Sequence, residues 1–113
     1  MTTKQFDQYL KNESKKKDIE AFRYLLDDPR GRWLLSKLGF ENYLYLSTYT
    51  GDADTYKREG SRCVVLKLFD EIRAIGKDEL LALMKAEGER HMWIQEQGLI
   101  YKAEKKKGEN NND

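Results

Sequence analysis

The two side chains best suited to covalent chemistry, a thiol and an imidazole, occur once each, at Cys63 and His91. Together they could form a nucleophile and its base. Cys63, however, is predicted to lie on the apolar face of a helix, where a free cysteine usually acts as a small hydrophobic residue. A single cysteine and a single histidine do not make a zinc site of the usual kind. The sequence therefore predicts a protein that is not an enzyme and that uses no cofactor and no metal.

Two glycine–arginine elements form the most informative pattern: Gly31 with Arg32, and Gly60 with Arg62. A glycine inside a helix costs about 1 kcal/mol relative to alanine. Both glycines are therefore expected to let the second and third helices pack closely. A buried arginine needs a charged partner, and four acidic residues are candidates: Asp27, Asp28, Glu59 and Asp70. Two interpretations stay open, since the arginines could fix this packing or present their charge to a partner protein or a nucleic acid.

The charges are abundant and nearly balanced. Of the 113 residues, 36% are charged and the formal net charge is only +1, which gives no overall attraction to nucleic acid. Two local clusters are basic: Lys15, Lys16 and Lys17, and Lys105, Lys106 and Lys107. They could contact phosphates if the two ends of the chain meet in space. Acidic residues between the lysines favour a solvated helix face instead.

The spacing of apolar residues is helical and predicts an all-α fold, a single small domain of about four helices. The helices are expected over about residues 3–27, from the Asp28 cap to Gly39, from the Asp54 cap to Ile75, and from the Asp78 cap to about Lys106. The third helix is expected to face the core with an i, i+4 stripe of Tyr56, Gly60, Val64, Leu68, Ile72 and Ile75.

The chain divides into three predicted parts. Residues 1–18 form a polar N-terminal arm, which is either a separate segment or an extension of the first helix. Residues 19–106 form the helical domain, and residues 107–113 form a disordered tail. An aromatic loop joins the second and third helices, and its Tyr43, Tyr45 and Tyr49 are candidates for contact with a partner, since tyrosine is enriched where proteins meet.

The cellular setting is constrained by what the sequence lacks. No apolar run approaches the ~20 residues needed to cross a bilayer, and the start of the chain has no apolar signal segment. One cysteine cannot form an internal disulfide and fits a reducing compartment. We therefore expect a cytosolic protein without a membrane partner, which could form oligomers.

The glycine–arginine elements also carry a family resemblance. The segments Asp28-Pro-Arg-Gly-Arg-Trp-Leu-Leu-Ser-Lys-Leu-Gly and Thr55-Tyr-Lys-Arg-Glu-Gly-Ser-Arg resemble a family of small tailed-bacteriophage proteins encoded among head and portal genes. That family has a Gly-Arg near the start of a short helix and a Glu-Gly-x-Arg opening a longer one. The resemblance covers about residues 19–87. It implies a phage protein, in the bacterial host cytoplasm or in the virion, that is a minor virion component or an assembly factor.

Three functions follow from these observations. The first is a non-enzymatic phage protein that acts through contacts with another protein of the particle. The second is a phage-encoded inhibitor that binds a host protein, such as a defence or transcription component. The third is a nucleic-acid-binding accessory protein that uses the lysine clusters.

Overall fold

The computed structural model describes residues 2–42, 51 and 54–111, and this part of the chain forms four α-helices. They are α1 (Thr3–Asp27), α2 (Pro29–Glu41), α3 (Asp54–Ile75) and α4 (Lys77–Asn111). The predicted all-α domain of four helices is confirmed. The aromatic loop with Tyr43, Tyr45 and Tyr49 lies outside the described residues.

The helix starts follow from local capping groups. The Thr2 hydroxyl accepts a hydrogen bond from the Gln5 amide, and the Gln5 side chain accepts one from the Thr2 amide, which together make a capping box. Asp28 caps α2 by accepting a hydrogen bond from the Arg30 amide at 2.8 Å, with Pro29 in the first helical position. Because α1 is continuous from Thr3, residues 3–18 are an extension of the first helix and not a separate segment.

Two helices run further than the sequence predicts. α2 passes through Gly39, which is buried, and ends at Glu41, where the Asn42 side chain donates a hydrogen bond to the Leu38 carbonyl at 2.7 Å. α4 begins at Lys77, one residue before the predicted Asp78 cap, and continues to Asn111 across most of the predicted tail. Lysine and glutamate are good helix formers, and adding residues to an existing helix carries no nucleation cost.

The core is small and lies where the four helices meet. Its buried apolar residues are Leu26, Leu35, Val65, Phe69 and Ile72. The stripe predicted for α3 is right at Ile72, which is fully buried, and at Leu68, which packs against the core. It is wrong earlier in the helix, where Val65 is buried, whereas Val64 is 72% exposed and Tyr56 is 81% exposed. Cys63 is exposed as well, which corrects its predicted place on the apolar face.

The molecule is elongated, with principal dimensions of 81 × 39 × 20 Å. The side chain of Arg23, late in α1, meets that of Glu79 in the first turn of α4, with Nε 2.9 Å from Oε1. From this junction the 35 residues of α4 extend about 52 Å, and the first 20 residues of α1 extend about 30 Å. The sum of these two lengths matches the long dimension of 81 Å only when the two segments extend to opposite sides of the junction. Each helix thus ends in a projecting segment. Residues 3–14 of α1, the outer part of the predicted arm, are called the N-terminal arm from here on, and residues 94–111 of α4 are called the C-terminal arm.

Candidate contact surfaces on the helical arms

The two glycines have different surroundings. Gly31 is buried against α1, where an added Cβ would lie 2.6 Å from the Leu25 Cα and 2.7 Å from the Leu25 carbonyl carbon. Gly60 is exposed, and an added Cβ would meet no atom of the described residues within 4 Å. The predicted close approach of the second and third helices through both glycines is therefore wrong. The close approach is between α1 and α2, and it occurs at Gly31.

Arg32 is an internal packing residue. It is 8% exposed, and its Nη1 donates to the Leu26 carbonyl at 2.8 Å. Its Nε donates to Glu89 Oε1 at 2.5 Å, with Nη2 at 3.5 Å from Oε2. These bonds tie the end of α1 and the start of α2 to the middle of α4. The partner is none of the four predicted acidic residues, and the charge is used inside the molecule.

Arg62 occupies a different environment. Its side chain is 36% exposed on α3, and its Nη1 lies 4.0 Å from the carboxylate of Glu59, one turn earlier in the same helix. Glu59 is one of the four predicted partners. A pair at this distance between exposed side chains contributes little stability, so the two arginines do not form one site.

The seam between α2 and α4 is built from aromatic rings around Arg90. Its guanidinium carbon lies 4.8 Å from the Trp33 ring centre and 5.0 Å from that of Phe40. Among the described residues, the buried Nε and Nη1 atoms of Arg90 have no hydrogen-bond partner, and the cation–π contacts help to offset their desolvation. The rings of Trp93 and Trp33 pack edge to face, with their centres 4.9 Å apart.

His91 belongs to the same seam. Its ring packs edge to face on Phe40, with the ring centres 5.5 Å apart. Its Nε2 lies 3.8 Å from Glu87 Oε1. Cys63 is exposed on α3. His91 therefore packs in the seam between α2 and α4, whereas Cys63 lies on the surface of α3.

The two lysine clusters lie on different arms of the molecule. Lys15, Lys16 and Lys17 are exposed on α1, and Lys105, Lys106 and Lys107 are exposed near the end of α4. Helix lengths measured from the junction of Arg23 with Glu79 put the clusters about 50 Å apart along the long axis. The condition for one joint phosphate contact, that the chain ends meet, is not fulfilled.

The N-terminal arm carries an apolar cluster that the core does not use. Phe6, Tyr9 and Leu10 are 48%, 52% and 46% exposed. At about 100° per residue, their shared direction is about 180° from that of the core-facing residues later in α1. Those core-facing residues are Ile19, Phe22, Leu25 and Leu26. The cluster is therefore a separate surface, and not a continuation of the face that packs in the core.

A second unused apolar surface runs along α4. Leu81, Met84, Met92 and Leu99 are between 50% and 69% exposed. They share one side of the helix, about 150° from the side that buries Glu79 and Ala86. We refer to Leu81, Met84, Met92 and Leu99, with the intervening Gly88 and Gln95, as the outer stripe. Sequence reasoning proposed neither surface: it described residues 1–18 as a polar arm, and the apolar spacing along α4 does not reveal which side the core leaves uncovered.

Within the described residues, no helix is long and apolar enough to cross a membrane, and no three His, Cys, Asp or Glu side chains are grouped so that they could hold a metal ion. No protein-family model, curated protein or solved structure matches this chain. Its class is therefore defined by its own features: a small all-α domain with a four-helix junction and two projecting helical arms that carry exposed apolar side chains.

Proposed function

We propose that this is a non-enzymatic protein that acts through protein–protein contacts, as a minor virion component or a particle-assembly factor of a tailed phage. The observation that carries the contact role is the exposed cluster of Phe6, Tyr9 and Leu10, which points away from the core. Grouped apolar side chains on a surface typically mark interaction sites. The phage setting is supported by the resemblance of the two glycine–arginine elements.

The spacing of the cluster indicates how it would bind. Phe6, Tyr9 and Leu10 stand at positions i, i+3 and i+4, which is the pattern of a helix that lays its apolar face into a groove of a partner. Full burial of such side chains contributes about 1.5–3 kcal/mol each. Large side chains of this kind act as anchors at the centre of an interface. The expected partner is a particle protein that presents an apolar groove.

The test is quantitative mass spectrometry of purified particles of the phage or prophage that encodes this chain. We expect the wild-type protein at a fixed copy number per particle. The double variant Phe6→Ser/Leu10→Ser should fall by about tenfold or more, because two anchors are lost. Tyr24→Ser is the matched control, since Tyr24 is 72% exposed on the same helix but lies outside the cluster. It should leave the copy number unchanged.

Other outcomes redirect the proposal. A protein that is abundant in infected cells but absent from particles is not a virion component, and a transient assembly factor or an inhibitor of a host protein would then take its place. An inhibitor should retain one host protein from an uninfected lysate, and the Phe6→Ser/Leu10→Ser variant should not. Equal copy numbers for that variant and the wild type would contradict the role of the cluster.

A further inference from the structure

We propose that the C-terminal arm is held in a deep cleft of a partner protein, which covers the helix on its apolar side and leaves its polar side in water. The inference rests on the proposed function, because it needs a partner protein. It adds a second contact site, at the opposite end of the molecule from Phe6, Tyr9 and Leu10, and it specifies the chemistry of the cleft.

Six large apolar side chains stand in two groups of three, one at the start of the C-terminal arm and one in its middle. All six are between 46% and 69% exposed: Met92, Trp93 and Ile94 in the first group, and Leu99, Ile100 and Tyr101 in the second. The two groups are seven residues apart, which is about 10 Å along an α-helix. Exposed apolar side chains grouped in this way typically mark an interaction site.

The distribution of these side chains around the helix favours a cleft over a flat surface. At about 100° per residue, the six side chains cover about 220° of the circumference, and we call this part the apolar arc. The rest of the circumference between residues 91 and 103 is polar or lacks a side chain, and carries His91, Gln95, Gly98 and Lys102. A helix that lies on one surface typically needs an apolar stripe of only about 100°. The arm therefore fits a cleft that encloses it on three sides.

The width of the apolar arc also excludes a single neighbouring helix as the whole cover. The outer stripe contains Met92 and Leu99, which form only one edge of the arc. One helix packed alongside that edge, such as the arm of a second copy, would leave Trp93, Ile94 and Tyr101 in water. At least two elements of a partner are needed to cover both edges.

A charged residue inside the apolar arc defines the cleft further. Glu96 is exposed on the apolar side of the arm, between the two groups. An enclosed carboxylate without a cationic partner is very unfavourable. A protein cleft can hold an arginine or a lysine opposite Glu96, whereas the hydrocarbon region of a lipid surface has no such fixed group. The expected cleft has two apolar pockets about 10 Å apart and a cationic side chain between them.

The first experiment measures how fast single cysteines react with a membrane-permeant maleimide, in a Cys63→Ser background. Three variants sample the apolar arc: Leu99→Cys, Ile100→Cys and Tyr101→Cys. Two on the polar side of the same arm are the matched controls: Gln95→Cys and Lys102→Cys. In the purified protein all five should react, because all five positions are exposed. In cells that naturally produce the chain, the three arc cysteines should react at least about tenfold more slowly, because the cleft excludes water from them, and the two controls should react as before.

Every other pattern of reactivity overturns the proposal. Five reactive cysteines in the cell would mean that nothing covers the arm. Protection of Leu99→Cys alone would mean contact along the outer stripe only, and protection of all five would mean that the polar side is enclosed too. Protection in the purified protein would make a second copy the occupant. Protection of the purified protein by vesicles of phosphatidylethanolamine and phosphatidylglycerol would make it a lipid surface.

The second experiment tests the cationic group opposite Glu96. Glu96→Lys, combined with Ile100→Cys, should abolish the protection of that cysteine in the cell, because it sets like charges against each other inside the cleft. Glu109→Lys makes the same change of charge on the polar side of the arm and should leave the protection unchanged. Both residues are exposed and lie beyond the core, so both purified variants should unfold as the wild type does. Protection that survives Glu96→Lys would overturn the cationic cleft.

Failure of this inference and failure of the proposed function give different results. Reactive cysteines on the arm, together with a copy number in particles that depends on Phe6 and Leu10, would leave the proposed function standing and remove the cleft. A protected arm, together with a copy number that does not depend on Phe6 and Leu10, would keep the cleft and remove the role of the N-terminal cluster.

Discussion

At the level of single residues, the pair of Arg32 and Glu89 is the most consequential contact. Arg32 is buried, whereas the Glu89 side chain is 41% exposed. The two partners are therefore not equivalent. Loss of the arginine leaves a carboxylate that water can solvate, but loss of the carboxylate leaves a buried cation with one neutral acceptor, the Leu26 carbonyl.

This asymmetry gives a prediction for stability. Glu89→Ala should lower the free energy of unfolding by about 3 kcal/mol, because it strands a buried charge. Arg32→Met should cost only about 1 kcal/mol, because an apolar side chain of similar length fills the same space. Urea unfolding of both variants is the measurement. An equal loss in the two variants would show that burial of Arg32 does not govern the energetics of the pair.

The cap of α2 gives a prediction for pH. The Arg30 side chain and then the Arg30 amide, both donating to Asp28, lower the pKa of that carboxyl from 3.8 to about 2. A hydrogen bond from Arg23 likewise lowers the pKa of Glu79. A lowered pKa in the folded state stabilises the fold above the unfolded-state pKa, and this stabilisation is lost as the pH falls through the folded-state value.

The melting temperature should therefore fall as the pH drops from about 5 to about 2. Asp28→Asn can still cap the helix but does not titrate, so its melting temperature should depend less steeply on pH in this range. Asp7→Asn, on the exposed N-terminal arm, is the control and should follow the wild-type curve. Parallel wild-type and Asp28→Asn curves would contradict this account.

At the level of elements, the packing of α1 against α2 depends on one missing side chain. A Cβ at Gly31 would collide with the backbone at Leu25, which cannot move aside as a flexible side chain could. Gly60, in the corresponding sequence element on α3, faces open space. The same substitution should thus have opposite effects at the two positions.

Gly31→Ala should lower the free energy of unfolding by at least about 2 kcal/mol, through a forced shift of α1 from α2. Gly60→Ala should raise it by about 0.5–1 kcal/mol, because alanine favours a helix and meets no obstacle. Chemical unfolding of the two variants side by side is the measurement. Destabilisation by Gly60→Ala would restore the close contact of α2 with α3 that the sequence predicts.

The helix bounds set by local chemistry could be predicted from the sequence. The face that each helix turns to the core, and side-chain partners far apart in the sequence, could not. The bounds of α1 and α3 and the Asp28–Pro29 start of α2 follow from caps and helical periodicity, and the structure confirms them. The first half of the α3 stripe was wrong because adjacent Val64 and Val65 support two stripes, and packing in the assembled core selects one. The partner of Arg32 is 57 residues away, a distance that spacing rules do not reach. The exposed surfaces were missed for the same reason, since an apolar spacing does not reveal whether anything covers it.

At the level of the whole molecule, stability and interaction are separated in space. In α4 the buried or half-buried residues end at Arg90, and every described side chain from His91 onward is exposed. The part of α4 that packs in the core thus comes first, and the C-terminal arm, which is 18 of the 35 residues of α4, extends beyond it. The N-terminal arm repeats this arrangement at the opposite end, with an apolar cluster beyond the last residues that touch the core.

Removal of residues 98–113 should therefore leave the domain folded. We expect the free energy of unfolding of the purified protein to change by less than about 1 kcal/mol, as is usual for changes away from a core. The far-ultraviolet helical signal should fall in proportion to the helix removed. Ala86→Asp is the contrasting variant: Ala86 is 2% exposed, and an unpaired charge there should cost several kcal/mol. If the truncation is as damaging as Ala86→Asp, the C-terminal arm supports the core, and the separation of the two roles is wrong.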